Sequence, residues 1–200
     1  MEKPASVDHP VHDLIRRRWS PRVFSAQPVT TRELLSLFEA ARWAPSCYNE
    51  QPWSFIVATR DQPDAYERLL TCLVPANQTW AWRAPALALS VARLAFERNG
   101  KPNRHACHDV GQAVALLCIQ ATAMGMFVHQ MAGFDAAKAR ETFAIPESHE
   151  PVAAIALGHP ADPAHLNEEQ RTNEERPRER KKLHSFVFAK RWGDAADTLG

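Results

Sequence analysis

The chain has 200 residues, 45% of them hydrophobic and 24% charged. It can therefore bury the core of one large domain and is not a disordered polymer. Lys+Arg 24 against Asp+Glu 23 leaves a net charge of +1, which excludes a global basic field for nucleic acid or an anionic membrane.

In chain order, residues 11–18 (VHDLIRRR) read as a short helix ending in three arginines before Ser20-Pro21. Thr30 to Ala44 is the clearest helix. Thr30 and Glu33 form a capping box, Leu34, Leu35, Phe38, Ala41 and Arg42 set one face, and Pro45 stops it. Trp53–Thr59 reads as a strand, Pro63–Leu73 as a helix and Ala86–Ala92 as a second strand. Between these last two, Trp80 and Trp82 read as packing residues under a loop. His108–Met124 is a long apolar helix, followed by a short strand at 126–131 and a helix from Asp135, its N-cap, to Phe143. Val152–Leu157 is a continuous apolar run, as in a strand buried on both faces.

From Asn167 the character changes. NEEQRTNEERPRERKK carries five Glu, four Arg and two Lys with no apolar residue except Pro177, and is expected to stay out of the core as a polar arm. The apolar Leu183, Phe186, Val187, Phe188 and Trp192 follow, and need a surface to bury against, on this chain or on a neighbouring subunit. Residues 1–166 are taken as the domain proper, with 167–200 as an arm and tail belonging to it.

Several function classes drop out. The seven glycines stand at least seven residues apart, so neither GxGxxG nor GxxxxGK[ST] can be written, and any phosphate must be held by side chains. GxSxG and HExxH are absent. Four cysteines, at 47, 72, 107 and 118, form no CxxC pair and suit an intracellular thiol set better than a disulfide frame. The start, MEKPASVDHP, lacks the apolar region of a signal peptide, and the stretch 113–128 is interrupted by Gln120 and Thr122, so a cytoplasmic chain without membrane spans is expected.

Three constellations remain. In Arg16-Arg17-Arg18-Trp19-Ser20-Pro21-Arg22 the arginines are either a solvated helix end or, with Ser20 and Arg22 stiffened by Pro21, an anion fork. Ala44-Pro45-Ser46-Cys47-Tyr48-Asn49-Glu50-Gln51-Pro52-Trp53 is either a connector or a polar loop whose amides could read the imide edge of a heterocycle. His105, Cys107, His108 and Asp109, with His129 farther on, include zinc-ligand types. They lack a matching distant pair, so helix entry with Asp109 near the positive end is the favoured reading, and no metal is assigned.

The first two segments together resemble the amino-terminal signature of the nitroreductase family of flavin mononucleotide (FMN) enzymes. AWRAPALALSVA, HDVGQAVALLCIQATAMGM, HQMAGFD, IALGHP and RERKKL continue the resemblance in order from Leu14 to Val187. It implies an α+β three-layer sandwich with a central, mainly antiparallel sheet, forming a homodimer with an extended C-terminal arm. It also implies that Arg18, Trp19, Ser20 and Arg22 form the first FMN-binding segment, with Arg18 and Ser20 at the phosphate end and Arg22 near the pyrimidine edge. Pro45, Ser46, Cys47 and Asn49 would form the second segment, Cys47 standing where serine is frequent. Asn77 is a candidate contact by position. Gln130, Met131, Ala132 and Gly133 would lie over the far face, Ala132 through its backbone alone because family members often carry an acid there. Arg178 and Arg180 would form the carboxy-terminal basic pair. The implied activity passes electrons from NADH or NADPH through FMN to a nitroaromatic or quinone-type acceptor. No catalytic dyad is required, since the cofactor carries the chemistry and Arg22 tunes it. A non-catalytic flavin-binding protein, or a flavin enzyme for reductive dehalogenation or dehydrogenation, are the alternatives.

Overall fold

Four antiparallel strands in the order β1-β2-β4-β3 carry the molecule. They are β1 (Trp53–Thr59), β2 (Ala86–Arg93), β3 (Phe127–Met131) and β4 (His149–Gly158). The computed structural model describes residues 3–162, 164, 166–194 and 196. The helices are α1 (Asp13–Arg17), α2 (Thr31–Arg42), α3 (Pro63–Leu70), α4 (Pro75–Ala81), α5 (Ala106–Ala123), α6 (Ala136–Thr142) and α7 (Glu168–Glu175).

Strand alternation separates two cores. Ala86, Ala88 and Ala92 of β2 face α2 and α5, together with Ile155, Leu157 and Val128, while Leu87, Leu89 and Val91 point the other way, onto α3, α4 and α6. Alanine on one face lets α5 approach closely through Ala106, Ala113 and Ala121. The result is the three-layer α+β sandwich that the motif order implied. β2 and β4 are the central strands, and the register between them shifts at Ser90/Val91. The buried Ser90 hydroxyl closes that irregularity by donating to the Ala153 carbonyl and accepting from the Ala153 amide.

The capping box on α2 is present in both directions, with the Glu33 amide donating to Thr30 Oγ1 and the Thr30 amide donating to Glu33. Its buried face differs from the expected one. Leu37 and Ala41 are fully buried, whereas Leu35 is 65% exposed. The helix also stops at Arg42, before Ala44. Trp80 and Trp82 stand on and just after a helix, not under a loop. α4 begins with Pro75 at its first turn, and the Tyr66 hydroxyl lies 2.6 Å from the Ala84 carbonyl and near those of Ala81 and Trp82, capping its end. Burial pushes that phenol up to about 12. Trp80 is buried, while Trp82 stays half-exposed under the Arg83 guanidinium.

The polar arm also differs from its expected extended form. Asn167 and Gln170 make a reciprocal capping box and start α7, which sends Glu174 into the protein. The arm then lies against the chain's own amino-terminal segment. Among the described residues no helix is long and apolar enough to cross a membrane.

Candidate functional site

α1 ends at Arg17 and is capped by Arg18, whose amide donates to the Leu14 carbonyl. The chain then runs extended through buried Trp19 and Pro21. Arg18 donates to Ser20 Oγ at 3.2 Å. Opposite stands the arm. Arg178 donates from Nη1 to the carbonyls of Lys3 (2.7 Å) and Arg16 (2.9 Å), and from Nη2 to that of Arg18 (2.7 Å). Between them lies a cleft of about 340 Å³ lined by Lys3, Arg18, Trp19, Ser20, Arg22, His129, Asn173, Glu174, Arg176, Pro177, Arg178, Glu179 and Arg180. The structure thus brings Arg18, Trp19, Ser20, Arg22, Arg178 and Arg180 to one place across 160 residues of sequence.

Electrostatics follow from that convergence. Burial, then the neighbouring guanidinium groups of Arg18 and Arg180, hold Arg178 below its ordinary range. Glu174 accepts from the Arg22 amide at 2.8 Å, and its carbonyl accepts from the Lys3 ammonium. Burial pushes its carboxyl up, against the pull of that amide and of Lys3. His129 packs on Trp80 with ring centroids 4.6 Å apart, and its Nδ1 lies 2.8 Å from the Pro21 carbonyl. Burial depresses its pKa, with Arg22 and Arg18 adding to the effect. Burial, against the pull of its bonds to the Pro21 and Ser20 backbone, thus favours a neutral imidazole that donates Nδ1–H to Pro21 and fixes the backbone between Ser20 and Arg22.

The second segment stands elsewhere on the molecule. Between α2 and β1, Cys47–Asn49 make one 3₁₀ turn. Tyr48 (φ 53°), Asn49 (φ 56°) and Gln51 (φ 51°) all adopt the left-handed region, which costs a non-glycine residue roughly 1–2 kcal/mol. Ser46 Oγ accepts from the Gln51 amide at 3.0 Å, and the buried Asp109 carboxylate on α5 accepts from the Cys47 amide at 2.9 Å. Pro45 and Asn49 are exposed, whereas Ser46 and Cys47 are partly buried.

The third segment closes on α4. Asn77 Nδ2 donates to the Gly133 carbonyl at 2.9 Å, and the Val74 amide donates to the same oxygen at 3.0 Å. A Cβ on Gly133 would stand 2.5 Å from Asn77 Nδ2 and 3.0 Å from Val74 Cγ2, so any side chain there would have to displace the Asn77 amide from its contact. Met131 is buried, Ala132 and Gln130 are exposed, and Gln130 Nε2 reaches Cys118 Sγ at 3.6 Å.

Comparison with known proteins then identifies the kin of this arrangement. The nitroreductase family model matches residues 15–159. The chain belongs to the nitroreductase family. A solved structure described as an oxidoreductase containing FMN superimposes with a TM-score of 0.87 and 31% identity, over 95% of this chain and 96% of that one. A Mycolicibacterium smegmatis protein, described as an uncharacterized 15.4 kDa protein in the ask 5' region, is 35% identical over 70% of this chain and 97% of its own length. A nitrobenzene nitroreductase of Ectopseudomonas oleovorans is 41% identical over a shorter stretch, 33% of this chain and 28% of its own.

In this nitroreductase-family chain, sequence reasoning missed several cleft residues. Lys3, Arg176, Glu174 and the positioned His129 come from segments remote in sequence, and only the basic content of the arm signalled Arg176. Of the His105–Asp109 cluster only His108 and Asp109 meet, at 3.4 Å between Nδ1 and Oδ1. His105, Cys107 and His108 are exposed, Asp109 turns inward to Cys47, and among the described residues no group of three or more His, Cys, Asp or Glu could hold a metal ion.

Proposed function

We propose that this nitroreductase-family chain is an FMN-dependent oxidoreductase of the cytoplasm. It would work as a homodimer, taking electrons from NADH or NADPH and passing them to a small electron-poor acceptor of the nitroaromatic or quinone type. The observation that carries this reading is the cleft in which Arg18, Ser20 and Arg22 meet the basic arm. Its donor set fits a phosphate dianion, since several guanidinium groups and a hydroxyl converge where no glycine loop exists.

FMN supplies reversible electron transfer when bound, and the chain supplies binding, orientation and charge. Arg18, Ser20 and the free N–H groups of Arg178 and Arg180 would hold the phosphate end. Arg22 would place positive charge at the pyrimidine edge, where reduction accumulates negative charge. Asn77, Gln130, Met131, Ala132 and Gly133 would border one face, and Pro45, Ser46, Cys47 and Asn49 would contribute from a second loop.

Two features support the homodimer. Asp109, which meets Cys47, and Cys118, which meets Gln130, are nine residues apart on α5, about 13 Å along its axis. A second copy would bring the 45–49 loop to the cleft from outside. On α5, Ala115 and Leu116 are exposed and Ile119 is only partly buried, while in the tail Leu183, Phe186 and Trp192 are exposed. Covering each large side chain would contribute roughly 1.5–3 kcal/mol.

Reconstitution with FMN followed by anaerobic addition of NADH or NADPH tests the reading. One FMN per chain and bleaching of the flavin absorbance are expected, with colour restored by a nitroaromatic or quinone. A protein that takes up no FMN overturns it, and one that binds FMN without being reduced by either nicotinamide reduces it to a passive binder.

A further inference from the structure

We propose that Asp109 is a positioning residue that anchors the Pro45–Asn49 stretch, with Tyr48 and Asn49 in the left-handed region, and so sets that loop against the cofactor; the second half of this rests on the FMN reading of the loop. An acid in the first turn of a helix serves the dipole equally well from solvent. Asp109 instead is 2% exposed: its Oδ2 accepts from the backbone amide of Cys47, 62 residues away in sequence and 2.9 Å in space, while its Oδ1 makes only a longer contact, 3.4 Å, to Nδ1 of the neighbouring exposed His108. A carboxylate withdrawn from water is retained only where its partners replace the lost hydration.

The loop needs an external anchor. Its own bonds, from the Gln51 amide to Ser46 Oγ and from Gln51 Nε2 to the Asn49 carbonyl, shape it without locating it. Its far end is tied to β2, because Glu50 accepts from Arg93 at 2.5 Å and from the Glu97 amide at 2.7 Å. Its near end is tied to α5 by Asp109, with Gln112 Nε2 adding a longer contact of 3.4 Å to the Pro45 carbonyl. Between these two ties stand Tyr48 and Asn49 in the left-handed region. Releasing the near tie lets both relax to an extended or right-handed backbone. Ser46, Cys47 and Asn49 then lose the placement on which a flavin contact would depend.

The test compares the full chain with Asp109→Asn, which keeps an acceptor oxygen of the same size, and Asp109→Ala, which removes it. FMN affinity is read by quenching of flavin fluorescence, and loop order by the rate of chymotrypsin cleavage after the exposed Tyr48. Asn is expected to lose about fivefold in affinity and Ala about thirtyfold or more, as a charged acceptor is replaced by a neutral one and then by none. Cleavage after Tyr48 should accelerate in the same order. Equal losses in the two variants, or an Ala variant within twofold of the unaltered chain in both readouts, overturns the proposal. Should the Ala variant not fold, hydrogen exchange in the unaltered chain decides: the Cys47 amide is expected to exchange about a hundredfold slower than an open amide, and fast exchange overturns the clamp. An unaltered chain that takes up no FMN overturns the cofactor reading alone, since cleavage and exchange still judge the clamp.

Discussion

Arg178 is the residue on which the arm's attachment turns. Its guanidinium carries five N–H groups, and three of them are committed to main-chain carbonyls of Lys3, Arg16 and Arg18 at 2.7–2.9 Å. Two of those carbonyls belong to the C-terminal end of α1, where a cation also complements the helix dipole. Each bond from a charged donor contributes roughly 1.5–3 kcal/mol in isolation. The side chain is only partly buried and the three bonds share one group, so solvent screening and non-additivity reduce the total to about 2–3 kcal/mol. Arg178→Ala should therefore lower the melting temperature of the cofactor-free protein by about 5–10 °C for a chain of this size. Arg178→Lys, which offers a point charge without the fork, should recover less than about half. Calorimetry on cofactor-free protein checks this. A shift below about 2 °C for the Ala variant would show that the carbonyls are satisfied by water and that the arm is held by other means.

Other outcomes follow from the same geometry. Arg18→Ala should weaken FMN binding by roughly 1.5–3 kcal/mol, and Arg16→Ala by clearly less, since Arg16 sits beside Asp13; equal losses in a fluorescence titration would contradict the placement. His129 has its folded pKa depressed below 6.5, chiefly by burial, so the unfolded chain binds more protons near that value. Stability should then fall as pH drops from 7 towards 5.5, and His129→Gln should flatten that slope in thermal melts of cofactor-free protein. Removing the residues after Ala164 should lower FMN affinity and shift sedimentation towards monomer together; a truncated chain that stays dimeric and binds FMN fully would detach the arm from both roles.

Local signals carried most of the fold. The Thr30–Glu33 pair announced α2, and the aromatic and β-branched run Trp53–Thr59 marked β1 with its observed ends, because capping and strand propensity are short-range. α7 escaped for a physical reason. A helix without an apolar stripe leaves no periodic trace, and its capping pair Asn167 and Gln170 was hidden among other polar residues. α4 escaped because Trp80 and Trp82 read as packing under a loop, whereas Pro75 sits comfortably in a first helical turn. In the cleft, the Arg18-Trp19-Ser20-Arg22 segment stood out in the sequence as a candidate for anion binding. The carbonyls that absorb three donors of Arg178, the imidazole of His129 under Pro21 and the reach of Asp109 to Cys47 did not. Each joins residues that only the folded chain makes neighbours.

The length of α5 bears on how this chain can vary. One face of the helix lies on alanines of β2, one turn near its start meets the 45–51 loop, and a later turn meets β3 through Cys118. A helix cannot take up slack. Deleting a single residue between Asp109 and Cys118 would turn everything beyond it by about 100° and draw it back by about 1.5 Å, facing Cys118 away from Gln130 and misaligning the alanine seam at once. Insertions and deletions should therefore be accommodated in the connection at 94–105, while the stretch between Asp109 and Cys118 keeps its count.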